Sequence, residues 1–301
     1  MQKTLISIIG STGIGKTKLA IEMAKHFGTE IISCDSRQFF KEMKIGTATP
    51  TDEELAQAKH HFIGHLSVQD YYSIGQYEED ALEKIEEIFE ENDFAVLVGG
   101  SMMYEKAVVE GLNDLPEANA ENQEKLQKIL DEEGLEKLQE ILKNLDEEYY
   151  NVVHKENPRR LLRAIDVIWQ TGRKYSEIIA EPKHKRDFKV VRIGITAPRE
   201  IMYERINLRV DKMLENGLID EVKSLTEYQK LVPLQTVGYT EIFKYLEGTW
   251  DLDFAIEEIK KNSRRYAKRQ ETWNRKVENV TWLPYDYSEE QLHEILSKIE
   301  K

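Results

Sequence analysis

The chain of 301 residues contains a single cysteine and no long apolar run. The lone thiol, Cys34, excludes an internal disulfide and a cysteine-rich zinc cluster, which is typical of proteins from a reducing compartment. No apolar segment approaches the roughly 18 residues that a membrane-spanning helix needs, so we expect no membrane partner. Residues 5–9 are apolar but too few for the core of a signal peptide. We therefore expect a cytoplasmic protein, with Cys34 buried in a strand.

The overall charge is acidic, with 56 Asp and Glu residues against 42 Lys and Arg residues. Because phosphate contacts require clustered basic side chains, this balance argues against a general nucleic-acid binder. Residues 260–276 depart from it, since they carry many basic side chains and one acidic residue, Glu271. Two interpretations remain open for this segment: a solvated helix face or a surface for a polyanion.

Four short apolar segments predict strands, and helical patterns separate them. They are residues 5–9, 30–34, 94–98 and 190–196. Alternation of this kind predicts an α/β fold, here a P-loop NTPase-like core with a mostly parallel sheet flanked by helices. In such sheets, ligands bind at the carboxyl ends of the strands. The residues that follow each strand are therefore the candidates for a site.

The length allows two units, because domains usually run to about 100 to 200 residues. Residues 113–187 show only helical patterns, which are broken at Gly134, at Pro158 and at other glycine or proline positions. We predict a helical insertion at residues 113–187. The core is then residues 1–112 together with residues 188–301, which end in C-terminal helices.

Residues 10–17 form a complete G-x-x-x-x-G-K-[ST] pattern between the first predicted strand and a helical stretch. In this P-loop pattern, backbone N–H groups and the positive end of a helix dipole surround an anion. Lys16 adds a point charge, and Thr17 adds a hydroxyl for Mg²⁺. The alternative is a glycine-rich turn without a ligand. The predicted anion-binding residues are Gly10, Ser11, Thr12, Gly13, Ile14, Gly15, Lys16 and Thr17.

Three further features surround this loop if the strands are neighbours. Asp35 follows the second strand, where it is either a proton acceptor or a turn-forming residue. Ser101 follows two glycines after the third strand, where it is either a site hydroxyl or a helix cap. Arg205, Arg209 and Lys212 share one face of a predicted helix, which forms either a lid over the phosphates or a solvated surface.

Several strings together resemble one family, the tRNA dimethylallyltransferases, also called tRNA isopentenyltransferases. They follow the family's order over nearly the whole chain, which makes the resemblance far more specific than the P-loop alone. The strings lie at residues 10–17, 35–39, 46–50, 98–104, 158–163, 237–239 and 268–273.

The resemblance implies a Mg²⁺-dependent prenyltransferase. In this family, a dimethylallyl group passes from dimethylallyl diphosphate to N6 of adenosine 37 in tRNA. The P-loop holds the pyrophosphate, and the base is flipped into a channel that the diphosphate enters from the other end. The helical insertion grips the anticodon stem-loop. The resemblance also gives the basic segment at residues 260–276 a partner, the RNA backbone.

The resemblance assigns roles to individual residues. Asp35 matches the general base, and Ser101 stands where most relatives have a threonine. Lys16, Thr17 and Arg209 match the pyrophosphate and Mg²⁺ ligands. Three stretches match segments that contact tRNA: Asp35, Ser36, Arg37 and Gln38, with Ser101; Arg159, Arg160, Leu161, Leu162 and Arg163; and Gln235, Thr236, Val237, Gly238, Tyr239 and Thr240. Some relatives carry arginine at the positions of Gln235 and Thr240.

Other functions remain open at the level of sequence. An adenylate isopentenyltransferase uses the same chemistry on a free nucleotide, but it requires neither the insertion nor the basic segment. A P-loop kinase that binds ATP leaves Asp35, Ser101 and the RNA-facing stretches unexplained. A nucleotide-controlled RNA-binding switch without catalysis also remains open, and Asp35→Ala separates it from an enzyme, because only an enzyme has turnover to lose. We expect a monomer without zinc, Tyr239 and Trp273 in core packing, and a polar loop at His60 and His61.

Overall fold

The structure, a computed structural model, describes residues 2–300. Its core is a six-stranded sheet in which every pair of neighbouring strands is parallel. The strands are β1 (Thr4–Gly10), β2 (Ile31–Ser33), β3 (His60–His61), β4 (Phe94–Val98), β5 (Lys189–Thr196) and β6 (Val280–Pro284), in the order β3-β2-β4-β1-β5-β6. The predicted α/β fold with a mostly parallel sheet is confirmed.

Helices follow most of the strands, as the crossover connections of a parallel sheet require. They are α1 (Lys16–Phe27), α2 (Asp52–Leu55), α3 (Ile74–Glu91), α4 (Met102–Glu110), α5 (Ala120–Glu133), α6 (Leu135–Leu145), α7 (Glu147–Val152), α8 (Pro158–Thr171), α9 (Tyr175–Ile179), α10 (Arg199–Glu215), α11 (Leu218–Ser224), α12 (Tyr239–Leu246), α13 (Leu252–Asn274) and α14 (Glu289–Ile299). Among these described helices, none has the length and apolar character needed to cross a membrane.

Apolar side chains from the sheet pack into two separate clusters. One contains residues of α3, α11 and α12, such as Ile85, Val222 and Ile242. The other contains residues of α1 and α14, such as Leu19 and Ile295. β1 and β4 are buried over most of their length, as strands at the centre of a parallel sheet usually are. The loops that carry the candidate site residues follow the carboxyl ends of these strands.

Two strands were not predicted. His60 and His61 form β3, which corrects the expected polar loop: their backbone pairs with Ile31 and Ile32 of β2. A two-residue strand has no periodicity to reveal it, and it exists only through this pairing. The second unpredicted strand, β6, pairs with β5 at the far edge of the sheet. Cys34 is buried as expected, but it lies just after β2 rather than inside it.

The chain separates into two compact units. The first contains residues 2–109 and 186–300, and the second is Glu110–Lys185, where the insertion was predicted at residues 113–187. The ends of the predicted core, Met1 and Lys301, lie outside the described residues. The second unit contains only helices among its regular elements, α5 to α9, around a core of its own that includes Leu126, Leu142 and Ile165.

Local sequence explains the ends of the main helix of the second unit. Asn157 precedes α8, and its side chain accepts a hydrogen bond from the backbone N–H of Arg160. Pro158 occupies the first turn, where no intrahelical N–H bond is lost. Gly172 ends the helix in the left-handed conformation.

Candidate active site

The glycine loop, residues 10–17, joins the end of β1 to the start of α1. Gly15 has a φ of 112°, a conformation that side chains disfavour, and it places the first turn of α1 at Lys16. The first N–H groups of a helix have no partner within the helix, so they are available to an anion. Lys16 and Thr17 line a cavity of about 380 Å³ beside this loop.

The ammonium group of Lys16 lies against the loop itself. Its Nζ donates hydrogen bonds to the carbonyl oxygens of Gly10 at 3.0 Å and Ser11 at 2.9 Å. Burial lowers the pKa of Lys16 to about 8, although the nearby Asp35 carboxylate opposes the change. An anion beside Lys16 would favour the charged form of this side chain, so ligand binding and protonation are coupled here.

Two arginines of α10 reach the glycine loop. Arg209 donates from Nη1 to the hydroxyl of Thr12 at 2.7 Å and from Nη2 to the carbonyl oxygen of Thr47 at 3.1 Å. Arg205, one turn earlier, donates from Nε to the carbonyl of Gly13 at 3.0 Å. Burial lowers the pKa of Arg209, but a guanidinium remains charged at neutral pH. Of the three basic residues predicted to share this face, Lys212 is exposed and lines a different groove.

Asp35 both shapes a turn and faces the site. Its Oδ1 accepts a hydrogen bond from the backbone N–H of Arg37 at 3.2 Å, and its carbonyl accepts one from the N–H of Gln38 at 2.9 Å. Its other carboxylate oxygen, Oδ2, faces Gly100, where a Cβ atom would lie 3.0 Å away. The two interpretations of Asp35 are therefore compatible, since the turn holds the carboxylate in place.

Ser101 is directed at the Asp35 loop rather than at its own helix. Its Oγ accepts a hydrogen bond from the backbone N–H of Ser36 at 3.0 Å and lies 2.9 Å from the Ser36 hydroxyl. The close approach of the two loops requires glycine at position 99, because a Cβ there would lie 2.5 Å from the carbonyl carbon of Cys34. The carboxyl ends of β2 and β4 thus form one polar unit.

Two cavities meet at the loops that carry Asp35 and Thr12. A cavity of about 520 Å³ is lined by Asp35 and Ser101 and by residues of α13, including Tyr266. The cavity beside the glycine loop lies on the other side of the meeting point. Thr12, Asp35 and Arg209 line both cavities. A ligand in one cavity and a ligand in the other would therefore meet beside the Asp35 carboxylate.

A model of a known family, described as IPP transferase, matches residues 38–277. The chain belongs to the IPP transferase family. A relative from Christiangramia forsetii, a tRNA dimethylallyltransferase, is 49% identical over 300 residues, which cover 99% of each protein. A second, from Bacteroides fragilis, is named tRNA dimethylallyltransferase 1 and is 46% identical over 298 residues, covering 99% of this chain and 98% of the relative.

Solved structures of IPP transferases share the architecture. The tRNA isopentenylpyrophosphate transferase from Bacillus halodurans is 36% identical, covers 99% of this chain and 96% of its own, and superimposes with a TM-score of 0.73. A eukaryotic dimethylallyltransferase, described as acting on tRNA, superimposes with a TM-score of 0.85 at 27% identity. That match covers 98% of this chain and 79% of the other.

The larger cavity gathers most of the core residues that the family resemblance assigns to RNA contact. The lining residues among them are Asp35, Ser36, Arg37, Ser101, Gln235, Thr236, Val237, Gly238 and Thr240. Gln38 lines the smaller cavity instead, and its Nε2 donates to the carbonyl of Ala48 at 3.2 Å. Tyr239 is fully buried, and its hydroxyl donates to Glu221 at 2.6 Å. Tyr239 is therefore a core residue, as expected.

The stretch at the start of α8 divides into two groups. Leu161 and Leu162 are buried in the core of the second unit, so their side chains have no surface to offer to RNA. Arg163 donates to the carbonyl of Pro116 at 2.5 Å and to the buried carboxylate of Asp166 at 3.3 Å. Leu161 and Leu162 are thus core residues, whereas about a third of the Arg163 side chain stays exposed at 33%. The side chains of Arg159 and Arg160 are exposed.

The basic segment of α13 is also divided. Near its start, Lys260 pairs with Asp211 at 2.8 Å, and Lys261 pairs with Glu258 at 2.6 Å. Near its end, the exposed residues Arg265, Lys268, Arg269 and Lys276 line a shallow groove beside Trp273. Trp273 is half-buried, and the ammonium of Lys106 lies 5.8 Å from the centre of its ring. The exposed basic side chains that line the groove therefore lie in the later part of the segment.

Two residues of α13 contact the site without a predicted role, Tyr266 and Gln270, and Gln270 lies inside the family string at residues 268–273. Tyr266 donates a hydrogen bond from its hydroxyl to the carbonyl of Gly100 at 3.0 Å, and Gln270 donates to the same oxygen at 2.7 Å. Burial raises the pKa of Tyr266 to about 12, so its hydroxyl remains a donor at neutral pH. Their spacing of four residues, on a helix that also carries the family string at residues 268–273, is the signal that would have identified them.

Proposed function

We propose that this IPP transferase moves a dimethylallyl group from dimethylallyl diphosphate to N6 of adenosine 37 in tRNA. The products are N6-dimethylallyladenosine and diphosphate. The observation that carries the proposal is the meeting of two cavities at Asp35, Thr12 and Arg209. One cavity has the cationic lining that a diphosphate needs, and the other is large enough for a nucleobase. The names of the relatives support the same reaction.

The cavity beside the glycine loop is the proposed donor site. The first N–H groups of α1, the ammonium of Lys16 and the guanidinium of Arg209 would hold the diphosphate. Negative charge accumulates on the diphosphate as the bond between its oxygen and the allylic carbon breaks. Fixed positive groups that face this oxygen stabilise the transition state more than the ground state. The remaining residues of the loop, from Gly10 to Gly15, shape this cradle.

Magnesium fits the donor site through Thr17. Among residues 2–300, no cluster of three or more His, Cys, Asp or Glu side chains is arranged to hold a metal. Mg²⁺ bound together with a substrate often uses few protein ligands, several waters and the phosphate oxygens, so one hydroxyl in the phosphate cavity suits it. Bound Mg²⁺ would neutralise part of the charge on the diphosphate. We propose Mg²⁺ as the cofactor on this basis.

The larger cavity is the proposed acceptor site. An adenine must leave its stack to present N6 to Asp35 inside this cavity, and the volume of about 520 Å³ accommodates the base. As N6 forms its bond to the allylic carbon, the amine becomes acidic, and Asp35 takes its proton. The hydroxyl of Ser101 orients the amine beside Asp35. The residues from Gln235 to Thr240 that line the cavity would hold the flipped nucleotide.

The second unit and the end of α13 are the proposed RNA-binding surfaces. Arg159 and Arg160 are exposed on the second unit, and Lys268 and Arg269 are exposed on α13. Basic side chains of this kind bind phosphate oxygens of an RNA backbone. We propose that they grip the anticodon stem-loop, and that the protein acts as a monomer in the cytoplasm.

Transfer of radiolabel tests this function. Purified protein is incubated with Mg²⁺, labelled dimethylallyl diphosphate and an anticodon stem-loop that contains adenosine 37, with AMP as a parallel acceptor. We expect label in the stem-loop, its loss when Mg²⁺ is chelated, and a rate at least about 10²-fold lower for Asp35→Asn. The matched control is Asp70→Asn, because the Asp70 side chain also accepts a backbone hydrogen bond, from Ser67, but it is exposed and lies outside the cavities.

The other outcomes point to different functions. Label in AMP alone would assign the chain to nucleotide prenylation. Turnover of ATP without any prenyl transfer would favour a kinase. Binding of the stem-loop without turnover of either donor would leave only an RNA-binding protein.

A further inference from the structure

A buried glutamine of α13 joins the glycine loop to the loop that carries Ser101. Gln270 has no exposed surface. Its Oε1 accepts a hydrogen bond from the backbone N–H of Thr12 at 2.8 Å, and its Nε2 donates one to the carbonyl of Gly100 at 2.7 Å. Because one neighbour can only donate and the other can only accept, a single orientation of the amide satisfies both.

Both hydrogen-bond partners of Gln270 lie next to residues of the candidate site. On the donor side, the hydroxyl of Thr12 accepts the hydrogen bond from Arg209. On the acceptor side, Gly100 directly precedes Ser101, and a Cβ atom on Gly100 would lie 3.0 Å from Oδ2 of Asp35. The same atom would lie 3.1 Å from Nε2 of Gln270. The glutamine therefore fills the space between the two halves of the site.

Gly100 is held from two positions on one helix. The hydroxyl of Tyr266 donates to the same carbonyl oxygen, so both of its lone pairs have a partner. Only Gln270 also reaches the glycine loop. The two hydrogen bonds of the buried Gln270 amide are costly to break, because a buried donor or acceptor without a partner loses its hydration without compensation.

Building on the proposed transferase function, we propose that Gln270 is a positioning residue that sets the separation between the diphosphate site and the Asp35–Ser101 pair. Both of its polar atoms are occupied by the protein backbone, so it needs no contact with either substrate. The geometry matters because reacting atoms must lie about 3 to 3.5 Å apart, and a misplacement of about 1 Å can cost about 10²-fold in rate.

The proposal makes a specific kinetic prediction. Replacement by methionine, Gln270→Met, keeps the length and volume of the side chain but removes both hydrogen bonds. We expect kcat for transfer to fall about 10²-fold, while KM for dimethylallyl diphosphate changes by less than about threefold, because the ligands of each substrate remain. Glu257→Gln, an exposed position on the same helix, is the control and should match the wild type.

A second variant separates positioning from packing. In Gln270→Glu, the ionised carboxylate accepts from Thr12 but has no donor for Gly100. The protonated acid has both a donor and an acceptor, as the amide does. We expect the ratio of its kcat to that of the wild type to rise several-fold as the pH falls from about 8.5 to about 6, since burial favours protonation of the acid. The wild type carries the same neighbouring groups, so the ratio removes the pH dependence that the two proteins share. The ratio for Gln270→Met should stay constant over this range.

Other outcomes of these measurements would contradict the proposal for Gln270 or the proposed function. The proposal is overturned if either variant, shown to be folded by thermal unfolding, keeps kcat within about threefold of the wild type across this pH range. It is also overturned if KM rises while kcat stays unchanged, or if both variants unfold, because Gln270 would then serve binding or folding. A wild type that transfers no label contradicts the proposed function itself, and this outcome is separate from any effect at Gln270.

Discussion

At the scale of single residues, Ser101 departs from the threonine that the family resemblance implies at this position. Serine keeps the hydroxyl and lacks the methyl group. The hydroxyl is fixed without that methyl, because the backbone N–H and the hydroxyl of Ser36 both lie within 3.0 Å of Oγ. The Asp35 loop thus supplies the orientation that a β-branched side chain would otherwise provide.

Substitution of Ser101 tests this view. We expect Ser101→Ala to lower kcat about 10- to 100-fold, because it removes the orienting hydroxyl and leaves the N–H of Ser36 without its acceptor. Ser101→Thr should stay within about threefold of the wild type. Steady-state transfer to the stem-loop, with thermal unfolding as a control for stability, measures both. Equal loss in the two variants would mean that the hydroxyl has no role.

At the scale of elements, α13 and the residues just after it combine three tasks. Lys260 and Lys261, near the middle of the helix, form ion pairs within the protein. In the later turns, Tyr266 and Gln270 contact the site. Exposed basic side chains of these later turns, together with Lys276 beyond the helix end, line the groove beside Trp273. The sequence shows Glu258 three residues before Lys261, but it does not show that Asp211 of α10 is the partner of Lys260.

Two matched double variants test the division of α13. We expect Lys268→Gln with Lys276→Gln to raise the Kd for the stem-loop about tenfold near 0.1 M salt. The same variant should reduce the slope of log K against log salt by about 1 to 2, because fewer counterions are released. Lys260→Gln with Lys261→Gln should change both values little, since these charges already have partners. Equal effects from the two pairs would contradict the division.

At the scale of the whole molecule, the compact unit Glu110–Lys185 is inserted between elements that already belong together. On the far side of the insertion, Arg186 donates hydrogen bonds to the carbonyl oxygens of Ala107 and Val108, both at 2.7 Å. The two ends of the core chain are therefore adjacent, and a short linker can join them. The second unit has an apolar core of its own, and none of its residues belongs to the two core clusters of the sheet.

Removal of the insertion separates its role from that of the core. We replace residues 110–185 with a short Gly-Ser linker and measure binding of dimethylallyl diphosphate and of the stem-loop by calorimetry. The Kd for the diphosphate should stay within about threefold, because its proposed ligands all lie in the core. The Kd for the stem-loop should rise at least about tenfold, since Arg159 and Arg160 are lost. Unchanged binding of the stem-loop would show that the insertion does not grip it.

The sequence by itself determined the features that depend on neighbouring residues. Four strands, the glycine loop and the ends of α8 follow from apolar runs, from a complete P-loop pattern and from capping residues. The same local reasoning placed Asp35 and Ser101 at strand ends, and in a parallel sheet those ends share one edge. The separate resemblance to a family gave these two residues their proposed chemistry.

Only the tertiary structure decided the features that depend on a distant partner. The strand β3 exists because β2 pairs with it, Arg163 donates to the carbonyl of Pro116, and Lys260 forms an ion pair with Asp211. Gln270 bridges Thr12 and Gly100, which are far away in the chain. A hydrogen bond or an ion pair needs a particular atom about 3 Å away, and the local pattern of residues does not specify which distant segment supplies it.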